Sequence, residues 1–177
     1  MLPVGGQAAT AAKWGKKGVE AAQVAKKVPD KPKAPKDGGR VDGPKKRQRE
    51  IGKCGEWLAK NDLREAGYDE VLEVQNRSGH GVDVVGRNSQ TGEVKVLEVK
   101  TTATDRAPSL SGDQRSMGGK RYADDRLERA AGGKGHYRNS PVAKANAETV
   151  SEWFEAAKVK GAKIGYEKYD VFIEDPK

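Results

Sequence analysis

Gly79-His80-Gly81-Val82-Asp83-Val84-Val85-Gly86-Arg87, a turn over Asn88 to Gly92, and then Glu93-Val94-Lys95-Val96-Leu97-Glu98-Val99-Lys100-Thr101-Thr102 is the stretch on which the reading of this chain depends. Val82 to Arg87 and Glu93 to Lys100 are rich in β-branched residues and bounded by Gly, Asn and Ser, the pattern of two strands joined as a hairpin. If Arg87 or Asn88 faces Glu93 across the turn, Asp83 lies opposite Leu97 or Glu98. Glu98 and Lys100 are two residues apart and so share one face of their strand. Two carboxylates and an ammonium are thereby brought to one spot. Glu98 stands between Leu97 and Val99 in an otherwise apolar run, where an unpaired charge is costly. A metal-dependent site would account for that cost.

The chain has 177 residues, enough for one domain with its own core and additional segments. Hydrophobic and charged residues each make up 34%, so the composition is more polar than that of an average globular chain. The formal net charge of +8 is unevenly placed. Residues 1–50 hold thirteen Lys or Arg against five Asp or Glu, while residues 51–177 hold twenty-one of each. The excess therefore belongs to an N-terminal arm. Within the neutral part, Lys100 to Arg138 has nine basic and five acidic residues, a local +4 beside the hairpin. A polyanion such as nucleic acid suits both basic regions, although a basic arm can also be a solubilising surface. The single cysteine, Cys54, excludes an intrachain disulfide and a cysteine metal knuckle. No apolar run approaches the roughly 18–20 residues of a membrane span, and the N-terminus lacks the apolar stretch of a signal peptide.

Residues 1–47 read as a low-complexity basic leader and linker, with a weak helix over Ala8 to Val28 and an extended segment from Pro29 to Pro44. The domain proper is expected over residues 48–177. Ile51, Cys54 and Leu58 set a helical spacing from about Lys46 to Ala66, with Gly67 placed to end the helix and Glu56 mid-helix near the apolar stripe. Glu70 to Gln75 reads as a short strand before the hairpin. Ser111-Gly112-Asp113-Gln114 has the form of a capping box, so a helix starts there. Gly118-Gly119 interrupts it, and a second helical stretch runs from Lys120 to Ala131. Gly132 to Ser140 reads as flexible, Ala143 to Lys158 as a third helix, and Tyr169 to Glu174 as a closing strand. Helix, three strands, helices, strand is the order of a mixed α/β domain.

Glu56 on a helix, then Gly81-Val82-Asp83, then Glu98-Val99-Lys100 resembles the PD-(D/E)XK nuclease superfamily. The wording Gly55-Glu56-Trp57-Leu58-Ala59, followed by Ala66-Gly67-Tyr68 and the hairpin, is most similar to its restriction-endonuclease-like and junction-resolvase-like branch. The resemblance spans roughly Arg47 to Ala131, and Val82 stands where the family's motif has Pro. It implies a mixed sheet flanked by helices, with Asp83, Glu98, the Val99 carbonyl and Glu56 around Mg²⁺ or Mn²⁺. It also implies that Lys100 orients a water or stabilises charge at phosphorus, and that Gln114 is a supporting residue. The residues themselves agree, since Mg²⁺ takes carboxylate oxygens and polarises a phosphodiester.

Each assignment has a plainer alternative. Asp83 and Lys100 could form a cross-strand ion pair, Glu56 could be a surface helix residue, and Gln114 could serve only the capping box. Thr101 and Thr102 could bond a phosphate or simply end a strand. His80 lies in a Gly-rich turn, and His136 sits beside Lys134, Tyr137 and Arg138, where phosphate contact suits it better than chemistry. Cys54, Trp153 and Phe154 fit packing. Thr102, Arg115, Lys120, Arg121, Lys134 and Arg138 are the candidate nucleic-acid contacts. The function expected is a metal-dependent endonuclease on DNA. The Ala/Gly/Lys/Pro-rich leader resembles that of bacterial polymorphic toxins. Such a protein is made in the cytoplasm, delivered within a larger effector into a target cell, and neutralised by an immunity protein, here expected to be acidic. The alternatives are a tRNA-cleaving toxin on the same fold, a housekeeping or phage resolvase or repair nuclease, and a non-catalytic nucleic-acid-binding module.

Overall fold

The structure is a computed structural model that describes residues 12–13, 44–102, 106 and 108–173. Most of the basic leader, including nearly all of the Ala8–Val28 helix expected from sequence, lies outside the described residues. Its described part, Ala12–Lys13, is a two-residue strand, β1, so the helical expectation fails there.

Helix α1 (Pro44–Glu65) opens on a proline, whose missing N–H costs nothing in the first turn. Gly67 ends it with φ 88°, its N–H bonding the Arg64 carbonyl at 3.0 Å and the Tyr68 N–H bonding the Leu63 carbonyl at 3.0 Å. This is the glycine-terminated exit that sequence predicts, sealed by the apolar Leu63 and Tyr68 in one cluster. Strands β2 (Glu70–Gln75), β3 (Gly81–Arg87) and β4 (Val94–Thr102) follow as an antiparallel meander. Helix α2 (Gly112–Ala131) is two stretches joined at Gly118, where φ 74° and ψ 165° break the helical path between the expected pieces. A 3₁₀ turn (Gly135–Tyr137) and α3 (Pro141–Lys160) lead to β5 (Ile164–Phe172).

The sheet order is β1-β5-β4-β3-β2, with β5 parallel to β4 and β1 antiparallel to β5. The fold class is therefore mixed α/β, as the element order implied. Helix α1 covers one face through Leu58, Ala59 and Leu63 against Val84, Leu97, Val99, Tyr169 and Val171. Helices α2 and α3 cover the other, where Val82, Val85, Val94 and Val96 meet Ala123, Leu127, Val150, Trp153 and Phe154. Trp153, Phe154 and the half-buried Cys54 are packing residues, as expected.

Two segments differ from the sequence reading. The closing strand starts at Ile164, five residues before the expected Tyr169, because Gly165 to Lys168 are only half-buried and carry no clear alternation. Gly132 to Ser140 is ordered around Tyr137, which is 4% exposed and donates its hydroxyl to the His80 carbonyl at 3.2 Å. Among the described residues, no helix is long and apolar enough to cross a membrane.

Candidate active site

The register decides where the acidic groups fall. Arg87 pairs with Val94 and Val84 with Leu97, so the same ladder carried one step further sets Asp83 opposite Glu98. Asn88 faces Glu93 across the turn, its N–H on the Glu93 carbonyl at 2.9 Å. On its other side β3 is irregular. Leu72 pairs with Val85 and Val74 with Val82, so Asp83 and Val84 together stand against the single residue Glu73. This bulge lets Val82 and Val85 both join the α2–α3 core while Val84 joins the α1 core. Asp83 is turned toward α1 and into the seam between β3 and β4.

Asp83 is 8% exposed, and both of its oxygens are held. Oδ2 accepts the Val99 N–H at 2.8 Å, which takes the place of a ladder bond. Oδ1 accepts Gln75 Nε2 at 2.8 Å. The same Gln75 nitrogen donates to Glu56 Oε1 at 2.9 Å, so Glu56 reaches the site through Gln75. Burial, then the nearby Glu98 charge, pushes the Asp83 carboxyl well above the ordinary range against the opposing pull of Lys100 and the two hydrogen bonds. Burial also raises Glu56, with the Gln75 hydrogen bond working the other way.

Glu98 and Lys100 share the α2 side of β4, as their spacing predicts. Lys100 Nζ lies 2.6 Å from Glu98 Oε1, so the ion pair of Lys100 is with Glu98 rather than Asp83. Gln114 Nε2 donates to the same Glu98 oxygen. Gln114 also completes the capping box, its Oε1 accepting the Ser111 N–H at 2.9 Å and its own N–H reaching Ser111 Oγ at 3.3 Å. Opposite ends of the one amide thus cap α2 and bond Glu98. Burial opposes the Lys100 charge, but Glu98 and Asp83 outweigh it and leave its pKa raised, so Lys100 is an ammonium at neutral pH.

Four neighbours escaped the sequence reading. Gln75 is the first, and its signal was parity: it lies two residues beyond Glu73, which pairs with Lys60 of α1. Lys168 and Asp170 of β5 are the next, ion-paired at 2.6 Å and registered beside Glu98 and Lys100 respectively. Tyr169 and Val171 belong to the α1 core, so Lys168 and Asp170 share the face of Glu98 and Lys100. Only the parallel pairing, invisible in sequence, brings them there. The last is Arg126, whose guanidinium stacks 4.8 Å over the ring of Tyr122, a residue electrostatically coupled to Lys100.

The peripheral candidates are scattered over the surface. Arg115, Arg121 and Arg138 are exposed, Lys120 pairs with Asp124 and Lys134 with Glu128. The His80 and His136 side chains are exposed, while Thr102 ends β4 half-buried. Thr101 Oγ1 is buried without a hydrogen-bond partner and packs on Gly55 of α1.

The donor set suits a hard cation. Two buried carboxylates, Asp83 and Glu98, are opposed by one ammonium, and both hydrogen bonds to Glu98 fall on Oε1. Among the described residues no three His, Cys, Asp or Glu side chains form a cage. Two carboxylates completed by water and substrate oxygen is the usual way Mg²⁺ is held. No family model, curated protein or solved structure matches the chain.

Proposed function

We propose that this chain is a metal-dependent endonuclease that hydrolyses phosphodiester bonds of DNA, with a restriction-endonuclease-like core. The observation that supports it is the pair Asp83 and Glu98, both buried, at the point where the β3–β4 ladder gives way to a side-chain bond, with Lys100 fixed on Glu98. Packing alone gives no reason to bury two carboxylates against one ammonium. Asp83 and Glu98 would hold a divalent ion, which when bound polarises the scissile phosphate and acidifies a coordinated water.

The protein's own groups divide the remaining work. Lys100, fixed on Glu98, would orient a water or stabilise negative charge growing on the phosphorus oxygens. Gln114 orients the Glu98 carboxylate through its amide while anchoring that amide in the first turn of α2. The Val99 N–H and Gln75 aim the Asp83 carboxylate. The Lys100–Arg138 segment and the arm carry the positive charge that attracts a polyanion to a domain otherwise neutral. In the toxin setting that the leader resembles, an acidic partner would cover the same face.

Plasmid and total RNA, each incubated with the protein and Mg²⁺ or Mn²⁺, with and without chelator, test the reading. Metal-dependent plasmid nicking that disappears in Asp83→Ala and Lys100→Ala is expected. Cleavage confined to RNA would change the substrate and keep the site. No cleavage of either, or undiminished cleavage by both variants, would overturn the proposal.

A further inference from the structure

Gln75 joins two acidic groups that come from different elements and have no direct bond to each other. Its Nε2 donates to Glu56 Oε1 on α1 at 2.9 Å and to Asp83 Oδ1 on β3 at 2.8 Å. A primary amide nitrogen has two hydrogens, so both are committed to carboxylates. Burial accounts for the donation to Asp83 but not for the one to Glu56, since Glu56 and Gln75 are both only half-buried and within reach of water.

The choice of donor is informative. Two residues earlier on β2, Glu73 is matched on α1 by the ammonium of Lys60. At Gln75 the chain places a neutral double donor instead. A lysine or arginine would neutralise Glu56 and Asp83; an amide draws them together and leaves their combined negative charge to be met by something else. The backbone under Gln75 is also constrained. Gln75 pairs with Gly81, which has φ 152°, and a Cβ there would meet the Val74 carbonyl at 2.0 Å. The end of β2 is therefore held tightly against the start of β3, and Gln75 has a rigid base from which to span the two acids.

We propose that Gln75 is a positioning residue that yokes Glu56 to Asp83 and so fixes the Asp83 carboxylate which, with Glu98, would hold one divalent cation. The inference rests on reading Asp83 as an ion-holding carboxylate, but not on what the ion is used for. Gln75 touches neither ion nor substrate; it acts through the two acids. Removing such an outer-shell partner typically weakens metal affinity about 10- to 100-fold.

The test is Mn²⁺ binding to the full chain, followed by the loss of the free Mn²⁺ EPR signal, alongside plasmid cleavage titrated with Mn²⁺. Gln75→Met removes both donors at similar volume; Gln75→Asn keeps an amide one methylene too short to span both acids. Folding of each is verified by circular dichroism, and Gln75→Asn and Glu56→Gln decide the matter if Gln75→Met does not fold. The expected result is a Mn²⁺ dissociation constant weakened about 10-fold or more in both Gln75 variants. Glu56→Gln should weaken binding comparably, and the Glu56→Gln/Gln75→Met double variant should be no worse than the weaker single. Cleavage in the variants should recover as Mn²⁺ is raised, a shift a general loss of packing would not produce. Wild-type Mn²⁺ affinity in folded Gln75→Met or Gln75→Asn overturns the inference, as does a wild type that binds no Mn²⁺. A wild type inert toward DNA and RNA whose Mn²⁺ binding still falls on losing Gln75 supports the inference and overturns the nuclease reading alone.

Discussion

Gly55 is the position at which fold and site can be perturbed together. It is buried where α1 crosses β4, and a Cβ built there would lie 1.8 Å from Thr101 Oγ1, 3.0 Å from Thr101 Cβ and 3.2 Å from Thr101 Cγ2. The nearest of these is roughly 1.6 Å short of the 3.4 Å at which ordinary contact begins. Gly55→Ala must push α1 outward or force Thr101 from its rotamer. Overpacking of this kind costs about 1–3 kcal/mol, and the overlap places it in the upper half of that range. Alanine returns about 1 kcal/mol through helix propensity. The net expectation is a loss of about 1–2 kcal/mol, read as a lower midpoint in urea unfolding followed by circular dichroism. Thr101→Ala alone should be close to neutral, since it deletes a buried hydroxyl that has no partner. In the double variant the worst overlap is gone and most of the loss should return, a coupling of about 1 kcal/mol or more. Glu56 is the next residue along α1, so the outward shift should break its 2.9 Å contact with Gln75, and cleavage should fall and recover with stability. A Gly55→Ala protein as stable as wild type, or a double variant no better than Gly55→Ala, would refute the argument.

Other outcomes follow from the same geometry. Mn²⁺ at about 100 times its dissociation constant should stabilise the wild type by about 2.7 kcal/mol and leave Asp83→Ala nearly unmoved, as measured by thermal unfolding with and without chelator. Lys100→Met leaves Glu98 and Asp83 without their ammonium. Cleavage should fall at least about 100-fold, and added Mn²⁺ should raise this variant's melting temperature more than that of the wild type. Tyr137 is held neutral by burial, its pKa pushed from an ordinary 10.0 up to about 12. A raised folded-state pKa contributes stability that is present below pH 10 and lost as pH climbs toward 12. Tyr137→Phe should cost about 1 kcal/mol at neutral pH through the lost bond to His80, and the gap should close across that alkaline window. Gly81→Ala, at φ 152° with the Val74 carbonyl 2.0 Å from the new Cβ, should destabilise by several kcal/mol and express poorly.

What was legible in the sequence was local. The hairpin could be read because Asn88 to Gly92 punctuates two β-branched runs, and the end of α1 because Gly67 alone permits the left-handed exit. Glu98 and Lys100 were placed on one face by the period of a strand, and Ser111 with Gln114 announced a helix start. What escaped depends on contacts between distant segments. The Asp83 bulge leaves no trace in Val82-Asp83-Val84-Val85, since valine suits either face; only the pairing with β2 shows that Val82 and Val85 point the same way. That one extra residue turns Asp83 toward α1. Gln75 looked like an ordinary strand end because its partners lie 19 and 8 residues away. Lys168 sat just outside the expected strand, in a half-buried stretch with no alternation to mark it, and Asp170, inside that strand, could be set beside Lys100 only by the parallel pairing.

The parallel pairing of β4 with β5 also sets a schedule. The hairpin bearing Asp83, Glu98 and Lys100 closes through neighbours in sequence, whereas the flank of β4 from Val94 to Thr102 stays open until Ile164 to Phe172 has been made and has travelled back past α2 and α3. Closing so long a span costs more chain entropy than closing the hairpin. Val171 and Tyr169, which complete the core beneath α1, and Lys168, which comes to rest beside Glu98, arrive together in that step. A chain interrupted before Ile164 carries every residue of the hairpin and still lacks the wall that holds it in shape.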